Sequence, residues 1–211
     1  MHSTAAGAAR AVRVAVAGAT GYTGQELLRI LSRHPHVSIV AATSSGASAA
    51  RKLPALARIW TGTITPLEPE VLARDADLVF LALPDTAAAD LAPRFADAGV
   101  RVIDLSGAFR LRDASLRARW YPETHRMPGD LAYGLTELAR DAVRRARVVG
   151  SALPEIKHVA HTNFCDIGWR VDGSGRVVIV SVIDNLLKGA SGQAVQNMNV
   201  MIGAPETAGL L

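Results

Sequence analysis

Hydrophobic positions along the first 150 residues follow two alternating periods, one typical of buried strands and one of amphipathic helices. Short apolar runs predict strands over Arg13–Ala17, Val37–Ala42, Asp77–Leu83, Arg101–Leu105 and Ala146–Gly150. Apolar residues at helical spacing predict helices over Gly24–Arg33, from Pro84 to about Ala98, and over Thr136–Arg145. Strands that alternate with helices predict an α/β fold, with a doubly wound parallel sheet over residues 1–150.

The pattern changes after Gly150. Two strand-like runs, His158–Val171 and Arg176–Ile183, flank the turn residues 172–175 and predict a β-hairpin within residues 151–183. Residues 184–211 begin with a glycine-rich turn and continue as a helix. We expect this helix to pack back on the first domain, which gives the chain three parts.

A glycine-rich turn joins the first predicted strand to the first helix. Gly18 allows a tight turn, Gly21 allows a pyrophosphate to approach the backbone, and Gly24 allows the helix to lie close to the strand. The amides and the positive dipole end of the helix would face the phosphates. The turn therefore predicts a dinucleotide site formed by Gly18, Ala19, Thr20, Gly21, Tyr22, Thr23 and Gly24. The alternative is a strand–helix turn without a ligand.

The end of the second strand bears on the choice of cofactor. An NAD site usually has a carboxylate about 20 residues beyond the glycines, to bind the ribose 2′-hydroxyl. Here Thr43, Ser44 and Ser45 occupy that place, with Arg51 and Lys52 shortly after. This favours NADP, although a solvated loop explains either cation alone. Ligands bind at the carboxyl ends of such strands, which adds Leu83, Pro84 and Ser106 to the predicted site.

Composition limits the classes of function. The chain has 211 residues, 49% of them hydrophobic, and a single cysteine, so an internal disulfide is excluded and a reducing, cytoplasmic location is expected. We expect no membrane partner, because no apolar run approaches the roughly 20 residues of a span. No aromatic residues lie between the arginines of residues 140–147, which argues against a surface that binds nucleic acid. The net charge of +4 suits an anionic ligand.

Several segments together resemble the N-acetyl-gamma-glutamyl-phosphate reductases of arginine biosynthesis. They are residues 17–24, 82–84, 102–106, 109–111, 132–137, 162–168 and 184–197. They follow one another in family order, and the last is the most specific. Lysine-pathway reductases and aspartate-semialdehyde dehydrogenases share the same general plan.

The resemblance implies an NADP-dependent reductive dephosphorylation of a small-molecule acyl phosphate to a semialdehyde. In that chemistry a cysteine thiolate attacks the acyl phosphate, and hydride reduces the resulting thioester. The resemblance also adds Asn185 and Gly189 to the cofactor-binding residues. The family's nucleophile lies in an Asn-Pro-Gly-Cys-Tyr-Pro segment after the strand that ends at Gly150. This chain instead continues directly into Ser151, so most of the central catalytic domain is absent and the catalytic residues are unknown.

Cys165 is not expected to replace that nucleophile. In a strand, Cys165, Ile167 and Trp169 share the more apolar face, so the thiol is expected to be an inert packing residue. His158 and His161 would lie on opposite faces, and no metal site is expected. His34 is expected at the surface, and His125 is interpreted as a polar loop residue near the cleft.

Two functions from different classes remain open. One is a reductase of this family, catalytically impaired in this chain. The other is an NADP-binding module without catalysis, which acts as a regulatory unit. In either case the hairpin lacks sheet neighbours, so we expect a homo-oligomer or self-association through its exposed edges.

Overall fold

The apolar strand segments assemble into one seven-stranded parallel sheet. The computed structural model describes residues 10–44, 50, 52, 54–129, 131–133, 136–150, 161–171 and 177–210. The strands are β1 Val12–Ala17, β2 Val37–Ser44, β3 Ile64–Pro66, β4 Leu78–Leu81, β5 Arg101–Asp104, β6 Leu131–Tyr133 and β7 Val148–Gly150. Their order is β3-β2-β1-β4-β5-β7-β6. The predicted doubly wound sheet is confirmed.

Helices cover both faces of this sheet. They are α1 Tyr22–Leu31, α2 Pro69–Asp75, α3 Asp85–Asp97, α4 Ala114–Trp120, α5 Thr136–Arg145 and α6 Gly192–Ile202, with a short 3-10 turn at Pro54–Leu56 and a π-turn at Leu187–Ser191. One core packs α1, α5 and α6 against the sheet and includes Val14, Phe80 and Met198, each fully buried. The other core packs α2 and α3 on the opposite face around Phe95. The last helix thus completes the first domain.

The strand order places a crevice between β1 and β4. From β1 the chain builds outward through β2 and β3, and it then returns to add β4 on the other side of β1. This reversal is the position where open α/β sheets bind ligands. The turn after β1 and the segment after β4 therefore share one edge of the sheet.

Two of the short strands and a proline-led helix were not predicted from the sequence. Strands β3 and β6 are too short to show a period, and α2 begins at Pro69. The expectation that His34 lies at the surface is wrong, since its exposure is only 5%. A polar residue that follows a helix does not reveal that another helix covers it.

The hairpin forms a separate two-stranded antiparallel sheet. Strand β8 spans Cys165–Val171 and β9 spans Val177–Ile183, with Gly168 opposite Val180. Strand β8 begins later than the sequence predicted, and His158 lies outside the described residues. Cys165 is exposed, so its expected burial on a packed face is wrong. Alternation predicts burial only where a second layer covers one face.

Candidate functional site

The three glycines of the turn after β1 have different physical roles. Gly18 has a φ of +87°, and a Cβ there would lie 2.0 Å from the carbonyl oxygen of Ala82. A Cβ on Gly24 would lie 2.2 Å from the carbonyl oxygen of Gly18. Both glycines are required by contacts within the protein. Gly21 has a φ of −73°, and a Cβ there would meet only the Gly18 carbonyl at 3.6 Å, an ordinary contact.

The first turn of α1 has its backbone amides available. Gly21 is the N-cap residue, so no side chain caps the helix, and no acidic residue lies in its first turn. The first hydrogen bond of the helix runs from the Gln25 amide to the Gly21 carbonyl at 2.9 Å. The preceding amides can therefore donate to an anion, which the helix dipole also favours.

The end of β2 lies beside the glycine turn. The Thr43 carbonyl accepts hydrogen bonds from the amides of Gly18 and Ala19, each at 2.9 Å. The hydroxyl oxygens of Thr20 and Ser44 lie 3.1 Å apart. Thr43 and Ser44 are buried, and the Thr43 hydroxyl has no hydrogen-bond partner among the described residues. Ser45 and Arg51, which the sequence adds to this part of the site, lie outside the described residues.

Two further segments lie at the same sheet edge, one after β4 and one after β5. After β4, Leu83 is buried, and its side chain lies 3.2 Å from the position that a Cβ on Gly18 would occupy. Pro84 is the N-cap of α3. The Asp85 carboxylate accepts a hydrogen bond from the Gly107 amide at 2.7 Å. The Ser106 hydroxyl donates to Asp104 at 2.9 Å. These bonds connect the loop after β5 to the start of α3.

Asp104 is the most perturbed acid of this edge. Its side chain is fully buried, and burial raises its pKa to about 6. Hydrogen bonds from the Ser106 amide and hydroxyl oppose the shift, whereas the charge of Asp85 adds to it. The Asp104 carboxylate supports the loop after β5 through its bonds to Ser106 and is shielded from solvent.

The π-turn between the hairpin and α6 lies against the glycine turn. The Ser191 hydroxyl donates to the Thr23 carbonyl in α1 at 3.0 Å. Gly189 is buried in this turn, where a Cβ would lie 3.5 Å from Asn185 Oδ1. Asn185 itself is exposed. The two residues taken from the family motif are thus neighbours, and Ser191 connects their turn to the helix of the glycine turn.

Asp184 shapes the start of the π-turn. Its carboxylate accepts hydrogen bonds from the amides of His161 at 2.6 Å, Leu186 at 2.9 Å and Leu187 at 2.8 Å. Burial alone would raise the pKa of Asp184, but these three donated bonds outweigh it and hold the pKa below its ordinary value. The hydrogen bonds of Asp184, Asp85 and Ser191 were not predicted from the sequence, although the acid directly after Pro84 is a usual sign of a helix start.

Most of the predicted cofactor residues converge on the edge between β1 and β4. Tyr22 is the exception among the turn residues, because its ring is 88% exposed. Cys165 lies in the hairpin, where its sulfur is 3.2 Å from the Ser181 hydroxyl oxygen. Within the described ranges no group of three or more His, Cys, Asp or Glu side chains is placed to hold a metal ion. In the same ranges no helix is long and apolar enough to cross a membrane.

Comparison with known proteins gives two family matches. The model described as "Semialdehyde dehydrogenase, NAD binding domain" matches residues 13–146, and "Semialdehyde dehydrogenase, dimerisation domain" matches residues 137–185. The N-acetyl-gamma-glutamyl-phosphate reductase of Geobacter metallireducens is 30% identical, and the alignment covers 94% of this chain and 98% of that protein. The reductase of the same name from Syntrophobacter fumaroxidans is 29% identical, with the same coverage.

The alignment with the Geobacter metallireducens protein extends over 339 residues, whereas this chain has 211. More than a third of the aligned positions therefore have no counterpart in this chain. Among solved structures, aspartate semialdehyde dehydrogenase II from Vibrio cholerae, complexed with ASA, is 21% identical with a TM-score of 0.49. The superposition covers 67% of this chain and 38% of that one.

Proposed function

Since the chain belongs to the semialdehyde dehydrogenase family and is related to N-acetyl-gamma-glutamyl-phosphate reductases, we propose that it binds NADP at the edge between β1 and β4. The family's NAD-binding domain covers residues 13–146, which include the whole glycine turn. The observation that carries the proposal is Gly21. Its protein neighbours leave room for a Cβ, and it precedes uncapped helix amides. Contacts within the protein do not require a glycine at position 21. A phosphate that lies close to the backbone explains why a glycine is present there.

The preference for NADP over NAD rests on the end of β2. Thr43 and Ser44 are neutral, so the described part of this edge has no carboxylate to repel a 2′-phosphate. Arg51 supplies a cation in the sequence that follows. The residues present therefore fit a phosphorylated ribose. When bound, the cofactor would supply hydride, while this chain's own groups bind and orient it.

The test of the cofactor site compares two glycines that both tolerate a Cβ. Gly21→Ala is expected to weaken NADPH binding at least tenfold in calorimetry while it changes the melting temperature little. Gly129→Ala is the matched control, since nothing lies within 4 Å of a Cβ there, and it should bind NADPH like the parent chain. Equal affinity of the Gly21→Ala variant would contradict the site. Arg51→Ala should weaken NADPH but not NADH, and a parallel loss for both would remove the basis for NADP preference.

For catalysis, we propose that the family reaction, reduction of N-acetyl-gamma-glutamyl phosphate, is impaired in this chain. Cys165 is its only cysteine, and the described neighbour of the sulfur is a serine, which is not a general base. No phosphate-dependent oxidation of N-acetylglutamate semialdehyde is expected. Turnover that disappears in Cys165→Ser would refute this. The alternative, a non-catalytic NADP-binding module, is favoured by the same combination of an intact turn and an absent central segment.

The hairpin is the proposed surface for self-association. It falls within the matched dimerisation domain, and β8 and β9 pair only with each other among the described strands. The double variant Val178→Lys/Val180→Lys places two charges on one face of β9 by strand alternation. It should elute as a monomer in size-exclusion chromatography with light scattering, whereas the parent chain should not. A parent chain that is monomeric at high concentration would contradict the proposal.

A further inference from the structure

The C-terminal part of the chain holds α1 at both ends. At the first turn, the Ser191 hydroxyl donates to the Thr23 carbonyl at 3.0 Å. Just beyond the last turn, His34 Nε2 lies 2.7 Å from Oδ1 of Asn199, which belongs to α6. Both His34 and Asn199 are buried, at 5% and 0% exposure. The helix that begins at the glycine turn is thus fixed at its far end by one histidine–asparagine pair.

The hydrogen bonds define the tautomer of His34. Its Nδ1 accepts the backbone N–H of His36 at 3.2 Å, so Nδ1 is unprotonated. The ring proton therefore lies on Nε2, which donates to Asn199 Oδ1. Both nitrogens are used, and the arrangement is satisfied only by neutral imidazole.

Asn199 connects this ring to the segment after α6, residues 203–210. Its amide nitrogen donates to the carbonyl oxygens of Glu206 at 2.9 Å and Ala208 at 3.0 Å. Gly209 then lies against the ring, since a Cβ there would be 2.7 Å from His34 Cδ2. Movement of the His34 ring away from Asn199 would leave a buried amide oxygen without a donor and loosen the segment that Asn199 holds.

We propose that His34 and Asn199 form an acid-sensitive clasp, which holds residues 203–210 on α1 at neutral pH and releases them when His34 is protonated. A proton on Nδ1 would point at the N–H of His36, so the accepted bond becomes a contact between two donors. A charged imidazole would also lack water in this buried position. The protonated ring gains solvation only when the segment that covers it moves away.

The charges around His34 do not offset this effect. On its own segment the neighbouring residues are the cationic Arg33 and a second histidine, His36. The ring centre of His36 lies 5.8 Å from that of His34. From α6 the facing group is the neutral Asn199. From residues 203–210 the acidic side chain is Glu206, whose carboxylate pairs with Arg140 and accepts from Gln196. Burial lowers the pKa of His34 and the neighbouring His36 adds to this effect, whereas the bonds to Asn199 and to the Ala208 backbone oppose it without reversing the direction.

The test measures amide hydrogen exchange of the whole chain at pH 7.5 and pH 5.5, expressed as protection factors to remove the intrinsic pH effect. The amides of Ala204, Ala208 and Leu210 report on the segment, because each donates to a backbone carbonyl. Protection there should fall by up to about tenfold at pH 5.5, one unit below the ordinary histidine pKa of about 6.5. In His34→Gln the fall should disappear, and in the control His36→Gln it should persist. An equal fall in the His34→Gln variant, or constant protection in the parent chain, would overturn the clasp.

A second measurement needs no variant. Nitrogen-15 spectra of the parent chain should show His34 as the neutral Nε2–H tautomer at pH 7.5, because Nδ1 accepts the His36 N–H. A ring that carries its proton on Nδ1 at that pH would also overturn the proposal. Neither measurement involves a cofactor, so its outcome is independent of the proposed NADP site.

Discussion

The seven-stranded sheet and the two-stranded hairpin are built from similar apolar residues but end in different environments. Strand β4, Leu78–Leu81, is buried at every position between two helical layers. Strand β9 reads Val-Val-Ile-Val-Ser-Val-Ile, yet its only described strand partner is β8. In the sheet the apolar run is matched by apolar helix faces from α1, α3 and α6. Among the described residues, the sheet thus has helical layers over its apolar strands, whereas each hairpin strand has a single strand neighbour, and an isolated pair of strands is only marginally stable.

The largest expected difference in the free energy of unfolding comes from truncating one apolar side chain in each region. Phe80 in β4 is fully buried, so Phe80→Ala should lower the free energy of unfolding by about 3–5 kcal/mol. Val180→Ala in β9 should change the main unfolding transition by less than about 1 kcal/mol, because β9 pairs only with β8 among the described strands. Urea unfolding followed by circular dichroism checks both values. Similar losses would mean that the hairpin and the sheet unfold as one unit.

A smaller effect separates backbone conformation from packing within the sheet domain. Gly18 and Gly99 both have positive φ, +87° and +82°, but a Cβ at Gly99 meets nothing within 4 Å. Gly99→Ala should cost about 1 kcal/mol, the conformational penalty alone. Gly18→Ala adds the clash with the Ala82 carbonyl, and should cost roughly 2–4 kcal/mol. Equal melting temperatures for the two variants would show that the crevice between β1 and β4 can open to admit a methyl group.

The pH dependence of stability should report on the buried acid at the edge of the sheet. The pKa of Asp104 is raised to about 6 in the folded chain, against 3.8 as its ordinary value. The folded state therefore binds more protons than the unfolded state between these values, and stability should fall as pH rises from about 4 to about 6. The loss is at most about 3 kcal/mol, and Asp104→Asn should remove it. Unfolding at several pH values measures the slope, and a slope of opposite sign in the parent chain, relative to Asp104→Asn, would contradict the burial of this acid.

The smallest expected effect concerns the hairpin's thiol. Cys165 is exposed, so Cys165→Ser should change the free energy of unfolding by less than about 0.5 kcal/mol. In the native chain the thiol should react with a disulfide reagent at a rate close to that of a free cysteine. Slow native labelling that accelerates in urea would instead show that the hairpin is covered.

How much could be predicted from the sequence depends on whether the deciding contact is local. The glycine turn and the parallel sheet were predictable, because Gly18 and the apolar run through β4 act through backbone geometry and a short period. His34 was misjudged because Asn199, its partner, lies 165 positions away. The Ser191–Thr23 bond and the Asp85–Gly107 bond were missed for the same reason. Cys165 was misjudged because alternation gives the face of a strand but not what covers it.

The position of α6 has a consequence for synthesis of the chain. Val195 and Met198 are fully buried in the same core as Val14 and Val16, although nearly the whole chain separates them. A ribosome synthesises β1 long before α6, so the part of this sheet face that α6 covers stays uncovered until residues 192–202 leave the exit tunnel. Packing of this core is therefore completed only after translation of α6.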